Sequence, residues 1–235
     1  MVIHDVPRPS STRRGMAFTD AVFDGQATLA GIGAVRVGDT ADIRDALAVR
    51  MAVLITVTDF SDVLTLAAPD ILVDARMRKH SQPEVQRGLA KLTIGLGPNF
   101  VAGETTDLVI ETSWGVALGR VMRNGTALPL AGEPRSLAGH ARNRYVYAPT
   151  DGVFTTTRQI GEAVRQGELV AEIGWTTLAA PLDGLLRGLT HDGVPVSEGT
   201  KVIEVDPRGP SAEVYGIGER PRRIAEGVLQ AVRDS

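Results

Sequence analysis

The sequence has no cysteine, three lysines (Lys79, Lys91 and Lys201) and an aromatic content of 4 %. Without cysteine there is no disulfide, no thiolate nucleophile, no zinc ribbon and no cysteine-ligated iron–sulfur cluster. So few rings leave little for single-stranded bases to stack on, and a net charge of −3 provides no electrostatic footprint for nucleic acid. The longest apolar runs, around 52–57 and 63–68, are far too short to span a bilayer. Asp5, Pro7, Pro9 and Arg13-Arg14 break up the stretch where a signal peptide would carry its apolar core. A cytoplasmic protein with neither nucleic acid nor membrane as partner is the expectation. Catalytic motifs are missing as well. No Gly-x-Ser-x-Gly, His-Glu-x-x-His or Walker sequence occurs, and His4, His80, His140 and His191 share no spacing, so no catalytic or metal-ligating residue is assigned.

What the sequence does contain is a duplication. Ala148-Pro149-Thr150-Asp151-Gly152 returns as Ala180-Pro181-Leu182-Asp183-Gly184, an offset of 180 − 148 = 32. The register holds through Gly161/Gly193, Val164/Val196, Gly167/Gly199, Val170/Val202 and Glu172/Glu204. Nine of 27 aligned positions are identical, which implies two supersecondary units that bury their apolar faces against each other. Within each copy, Pro-x-Asp-Gly and the later glycines punctuate short apolar runs, the pattern of strands joined by turns. The arrangement resembles the biotinyl/lipoyl-type barrel-sandwich hybrid. In carriers of that group the modified lysine sits on the hairpin joining the halves, here Ile173-Gly174-Trp175-Thr176-Thr177-Leu178, which has none. The resemblance therefore implies a structural or docking module with Trp175 exposed at its tip.

At 235 residues the chain suits one large or two small domains. Upstream of the repeat, Val2-Ile3 reads as a strand, Ser10-Ser11-Thr12 as caps for a helix over 13–22, and 28–37 as two short strands. Helices are expected over 42–49 and 60–68, and strands at 53–57, 71–73, 92–94 and 108–110. Strands alternating with helices in this way predict a Rossmann-like three-layer α/β domain with a mainly parallel sheet, truncated because no glycine fingerprint precedes its first strand. Ile224, Val228, Leu229 and Val232 fall at helical spacing and predict an amphipathic C-terminal helix. The expected division is 1–140 for the α/β domain, 141–210 for the all-β module and 211–235 for the helix.

In an open parallel sheet, ligands bind beyond the C-terminal strand ends. Three such ends carry suitable chemistry. Asp74-Ala75-Arg76-Met77-Arg78-Lys79-His80 follows one strand, with Arg76 able to grip an oxyanion bidentately. Lys79 and His80 read better as solvated charge. Gly95, Gly97, Asn99 and Gly103 form a glycine-rich turn after the next strand, suited to bringing amides near an anion. Glu111-Thr112 and Gly115 to Arg120 follow the third. Asp5 reads as a loop acid, and Asp206 with Arg208 as a structural pair.

Taken together, Val2 to Pro9 with Arg13-Arg14; Leu72-Val73-Asp74-Ala75-Arg76-Met77; Ile94-Gly95-Leu96-Gly97-Pro98-Asn99-Phe100 with Gly103; Val109-Ile110-Glu111-Thr112 with Gly119-Arg120-Val121; and the duplicated region through Asp206-Pro207-Arg208-Gly209 resemble the YqeB-type accessory proteins of selenium-dependent molybdenum hydroxylase systems. The resemblance covers nearly the whole chain. It implies a maturation role, with molybdopterin or its nucleotide form as cofactor, a molybdenum hydroxylase or another maturation protein as partner, and Asp74, Arg76, Gly95, Gly97, Asn99, Gly103, Thr112 and Arg120 as cofactor-binding residues. A homo-oligomer is compatible with it. Members of that family begin with a strand and a Gly-Gly-Gly-Asp-Leu-Ala turn, so the expectation here is a phosphate-binding half supplied by another chain, or a lost nucleotide site. Competing readings are an NAD(P)-linked oxidoreductase completed by a partner chain, a metal-dependent acylase and a pure scaffold.

Overall fold

Val53-Leu54-Ile55-Thr56 is buried at every position, as a strand covered on both faces must be. It is β4 of a sheet that also contains β1 (Val2–His4), β2 (Gln26–Leu29) and β3 (Ile32–Arg36) in the order β1-β4-β3-β2. The computed structural model describes residues 1–49, 53–77, 81–129 and 134–235. β1, β4 and β3 run parallel, and β2 pairs with β3 through a hairpin at Ala30-Gly31, both in the left-handed region that such a two-residue turn requires. A 3-10 turn at Phe18–Asp20 and the short α1 (Ala21–Asp24) cover one face, where Ala21 and Val22 pack on Ala34, Val53 and Ile55. Helices α2 (Thr40–Ala48) and α3 (Phe60–Ala67) cover the other, where Ile43, Ala46 and Val63 pack on Leu54.

A second sheet has the order β5-β6-β8-β9, formed by β5 (Ile71–Asp74), β6 (Leu92–Leu96), β8 (Leu108–Ile110) and β9 (Val121–Met122). Its first three strands are parallel and β9 is antiparallel. Strand pleating sends Leu108 and Ile110 to one face and Val109 to the other. On the first face α4 (Glu219–Arg233) buries Ala231, with Ile224, Val228 and Val232, against Ile94, Leu108 and Ile110. On the second, Phe100, Ala102 and Ala127 close over Val109, Ala102 belonging to a small ribbon of β7 (Val101–Ala102) and β10 (Gly125–Thr126). The single sheet expected over 1–140 is thus two sheets. A strand–helix–strand spacing looks the same whether the second strand joins its predecessor or starts a new sheet, so nothing local told the two apart.

From residue 145 to residue 206 the regular elements are all β: β11 (Tyr145–Tyr147), β12 (Gly152–Thr155), β13 (Ala163–Val164), β14 (Leu169–Ile173), β15 (Thr176–Ala179), β16 (Gly184–Leu189), β17 (Val194–Val196) and β18 (Lys201–Asp206). At the 32-residue offset β11 matches β15, β12 matches β16, β13 matches β17 and β14 matches β18. The sheets are β11-β18-β16-β13 and β15-β14-β12-β17, so each takes its two central strands from one copy and its two outer strands from the other or from the junction. The turns are exchanged reciprocally. Asp151 of the first copy accepts the Glu198 N–H of the second at 2.7 Å, and Asp183 of the second accepts the Gln166 N–H of the first at 2.7 Å. Phe154, Ile173, Leu186, Leu189, Val194, Val202, Ile203 and Val205 fill the space between the sheets.

The sequence-predicted helix over 13–22 is absent; only the 3-10 turn and α1 form there. Residues 8–13 instead run without regular structure along the β module and end in a turn at Arg14-Gly15. Leu189 N–H donates to the Thr12 carbonyl at 2.8 Å, Arg8 reaches the Gly193 carbonyl and Arg14 reaches Gln159. Arg13 pairs with Glu204 at 2.7 Å; Glu204 is fully buried and also meets Arg144, Arg187 and Lys201. Gly188 lets this strap approach, since a Cβ there would lie 3.3 Å from Thr12 and 2.8 Å from the Glu204 Cβ. A little further on, Asp20 meets the His191 ring nitrogen at 2.9 Å while Phe23 stacks on that ring at 3.9 Å. Long-range anchors of this kind override the local helical tendency of the segment.

The chain forms two compact units, Met1–Val63 with Glu133–Ile217, and Leu64–Gly132 with Gly218–Ser235. This division cuts across the boundaries at 140 and 210 expected from composition, because the strap returns to the β module and α4 returns to the second sheet.

Candidate functional site

The C-terminal ends of β5, β6 and β8 lie side by side and bring together most of the residues singled out in the sequence. Asp74 closes β5 and is almost fully buried. It accepts the Arg76 backbone N–H at 3.0 Å, the Arg76 guanidinium, and Gln86 Nε2 at 2.6 Å. Burial pushes the Asp74 carboxyl up, but these hydrogen bonds outweigh it and hold the group below the usual carboxylate range. Arg76 also donates to Glu84 at 2.6 Å, and its pKa is raised by the bonds to Asp74 and Glu84 against the opposing effect of burial. With Nε and Nη2 committed to two carboxylates, Arg76 would have to exchange an existing ion pair to grip a phosphate. The basic residues Arg78, Lys79 and His80 lie outside the described residues.

The glycine-rich turn after β6 has packing reasons for its glycines. A Cβ on Gly95 would overlap the fully buried Phe100 ring, so this glycine makes room for the core. Gly97 is left-handed, and a Cβ on it would meet the Thr112 hydroxyl at 2.7 Å and the Met77 sulfur at 3.4 Å. Asn99 takes φ 71, which its short side chain tolerates, and bonds the Ser81 carbonyl at 3.3 Å. Gly103, also left-handed, has open space around it. Thus Met77, Gly97 and Thr112, one residue from each of three strand ends, converge, while Gly95 belongs to the core.

Glu111 ends the third strand region with both oxygens used, accepting Ser113 N–H at 2.7 Å and Leu128 N–H at 2.7 Å. Thr112 is 1 % exposed, and among the described residues its hydroxyl makes no hydrogen bond. Its carbonyl accepts Arg220 Nε at 2.7 Å. Arg120 is exposed on the antiparallel side of the same loop, its backbone carbonyl bonded to Glu111 N–H. Arg220 and Gln86 were not marked by the sequence. Arg220 sits 108 positions from its partner at the start of a helix, where no spacing rule links it to a strand end.

Elsewhere the arrangement disfavours anions. Asp39 caps α2 by accepting the N–H groups of Ala41 and Asp42, Asp42 accepts Gly38 N–H, and Asp59 accepts Ser61 and Asp62 N–H at the start of α3. Carboxylates therefore occupy both helix starts above the first sheet, the places where a phosphate would otherwise bind. Asp5 bonds Thr19 and Val6 N–H within the same rim. Asp206 and Arg208 form the local pair expected of them, at 2.7 Å. Among the described residues no three His, Cys, Asp or Glu side chains are grouped to hold a metal ion, and no helix is long and apolar enough to cross a membrane. At the tip of the β14–β15 hairpin Trp175 is fully exposed.

No family model matches the chain. It is 34 % identical over 232 residues to the YqeB protein of Escherichia coli strain K12, covering 99 % of this chain and 42 % of that protein. The chain is therefore YqeB-like from end to end while spanning less than half the length of that relative. Among solved structures, a succinylglutamate desuccinylase/aspartoacylase from Rhodobacter sphaeroides is 27 % identical over 31 % of this chain and 25 % of that one, with a TM-score of 0.27. The ectoine utilization protein EutE (DoeB) from Ruegeria pomeroyi is 24 % identical over 27 % of this chain and 21 % of that one, with a TM-score of 0.24. Overlaps of that extent decide neither fold nor activity.

Proposed function

We propose, starting from the end-to-end likeness to YqeB, that this protein is an accessory protein for maturation of a molybdenum hydroxylase. In this reading it binds a phosphorylated, molybdopterin-type cofactor or the client enzyme, and carries no group covalently. The observation that supports it most is the convergence of Met77, Gly97 and Thr112 at the C-terminal ends of three parallel strands, the place where open α/β sheets receive ligands. Such a cofactor would lie against Gly97 and Thr112, with the exposed Arg120 nearby in sequence; Asp74 and Arg76 would frame the site rather than hold the phosphate.

The β module enters this reading as a docking element. In this reading its strand-exchanged halves are taken as those of a barrel-sandwich hybrid, a reading supported by the two four-stranded sheets, with Gly174-Trp175 at the hairpin where a carrier of that type would present lysine. A fully exposed tryptophan on a rigid hairpin suits a protein contact, since aromatic anchors dominate interface energetics. Native mass spectrometry after co-expression with a molybdenum hydroxylase tests the proposal. A complex with the client, or a bound pterin, is the expected result. Neither species, together with unaltered client activity when this protein is left out, would overturn it.

A further inference from the structure

Arg220 is half-buried in the first turn of α4, and its guanidinium has a single partner, the Thr112 carbonyl, which takes only Nε. Among the described residues its two terminal nitrogens face no acceptor, and no ion pair includes it. The nearest acid acting on it, Glu111, has both carboxylate oxygens bonded to backbone N–H groups. Burial pushes the Arg220 guanidinium down from its ordinary value, and Glu111 offsets this only in part. A guanidinium remains charged in proteins, and a bound anion would offset the cost of partly desolvating this one.

Two further groups lie at the same place. Thr112, whose carbonyl holds Arg220, has a hydroxyl that makes no hydrogen bond among the described residues and lies 2.7 Å from where a Cβ on Gly97 would be. The start of α4 has Gly218 as its N-cap, with no side chain bonded to its first turn and Pro221 following Arg220. No capping side chain is bonded at this helix start, where Glu219 supplies an acid in the first turn, whereas Asp39 and Asp59 cap the starts of α2 and α3. Arg223 from the next turn donates to the Leu118 carbonyl at 3.2 Å and adds positive charge beside the same loop.

We propose that Arg220 and Thr112 form an oxyanion site for the phosphate of a ligand, with the Arg220 terminal nitrogens gripping it and the Thr112 hydroxyl as a third donor. This deepens the proposed function, resting on it for the source of the phosphate but not for the site. Inorganic phosphate and a phosphate monoester have the chemistry required.

Titration of the full chain with inorganic phosphate, and separately with phenyl phosphate, at constant ionic strength and followed by amide and Arg Nε–H NMR signals, tests the site. Saturable shifts centred on Gly97, Thr112 and Arg220 are expected, weakened at least ~10-fold in Arg220→Gln, as loss of a charge-assisted contact implies, and less so in Thr112→Val. Because Arg220→Gln also removes the bond to the Thr112 carbonyl, Arg220→Lys serves as the second variant, keeping the charge and retaining measurable binding if the fold is intact. Tighter binding of the monoester than of free phosphate would assign the site to a larger ligand; equal binding would assign it to phosphate itself. Shifts that do not saturate, or that are the same in a folded Arg220→Gln, overturn the site. Intact phosphate binding with neither a client complex nor a bound pterin, and with client activity unaltered, would instead sink the maturation reading and leave the site standing.

Discussion

Replacing Gly227 by Ala sets two opposite effects against each other, and the structure says which is larger. In an isolated helix the change stabilises by ~1 kcal/mol, because Gly is the poorer helix former. In α4, however, a Cβ at 227 would overlap the Gly119 carbonyl oxygen, lying 3.0 Å from the Gly119 carbonyl carbon and 3.2 Å from Ile110 Cγ2. Gly119 cannot easily withdraw: it is left-handed and its N–H is held by the Glu111 carbonyl at 2.9 Å. Overpacking costs ~1–3 kcal/mol, and a clash with backbone, which has no rotamer to change, belongs at the upper end of that range. The expected net effect is a loss of ~1–2 kcal/mol after the propensity gain is subtracted. Should the helix lift off instead, Ala231, Ile224, Val228 and Val232 would leave Ile94, Leu108 and Ile110 uncovered, and the loss would be greater. Urea unfolding of Gly227→Ala beside Ala225→Gly, an exposed control on the same helix that should lose ~1 kcal/mol, measures this. A Gly227→Ala protein more stable than the parent by ~1 kcal/mol would show that α4 does not dock through this face.

Asp151→Ala and Asp183→Ala, which remove equivalent bonds in the two copies, should each cost ~1 kcal/mol, and a marked inequality between them in denaturant melts would contradict the reciprocal exchange. Glu204→Gln leaves Arg13, Arg144 and Arg187 around an uncharged amide and should cost ~3–5 kcal/mol, with residues 8–15 becoming sensitive to limited proteolysis. Burial raises the Glu204 and Asp206 carboxyls, but the surrounding Arg13, Lys201 and Arg144 lower Glu204 further and Arg208 lowers Asp206, so both end below their ordinary values. Their stabilisation is therefore complete above about pH 4–5 and lost as pH falls through the depressed folded-state values. An acid titration of thermal stability that stays flat below pH ~4 would refute this. Trp175→Ala should change stability by less than ~0.5 kcal/mol while weakening client binding in a pull-down, and unchanged binding would remove the docking role.

How much of this was legible beforehand depends on the range of the interaction concerned. Helices at 42–49 and 60–68 and the strands around 53, 71, 92 and 108 follow from local periodicity and are present within a residue or two. The duplication read at 148–174 and 180–206 continues into β11 and β15, which correspond at the same offset although their residues differ. Thr12 and Arg13 could not be read as a strap, because the cause lies in Leu189 and Glu204, far along the chain. Gly95 looked like a phosphate turn and serves Phe100, since a glycine needed for an anion and one needed for a ring look the same in sequence. Arg76 stood out in the sequence, yet its charge is met by Asp74 and Glu84; Arg220, which has no ion pair among the described residues, carried no motif.

The interleaving of the two units sets an order of assembly. Arg13 is made 204 − 13 = 191 residues before Glu204, and the sheet of β5, β6 and β8 before the helix that covers it. At ~5–20 residues per second the strap waits on the order of 10–40 s for its acceptor during synthesis. The apolar face of Ile94, Leu108 and Ile110 has no helix over it for the 219 − 110 = 109 residues before α4 begins, ~5–22 s at the same rate. A nascent chain of this kind has its greatest exposure to aggregation late rather than early. Truncation at the N-terminus removes part of a unit that runs to Ile217, and truncation at the C-terminus removes α4 from a unit that begins at Leu64, so shortened versions should be judged by solubility before any question of activity is asked of them.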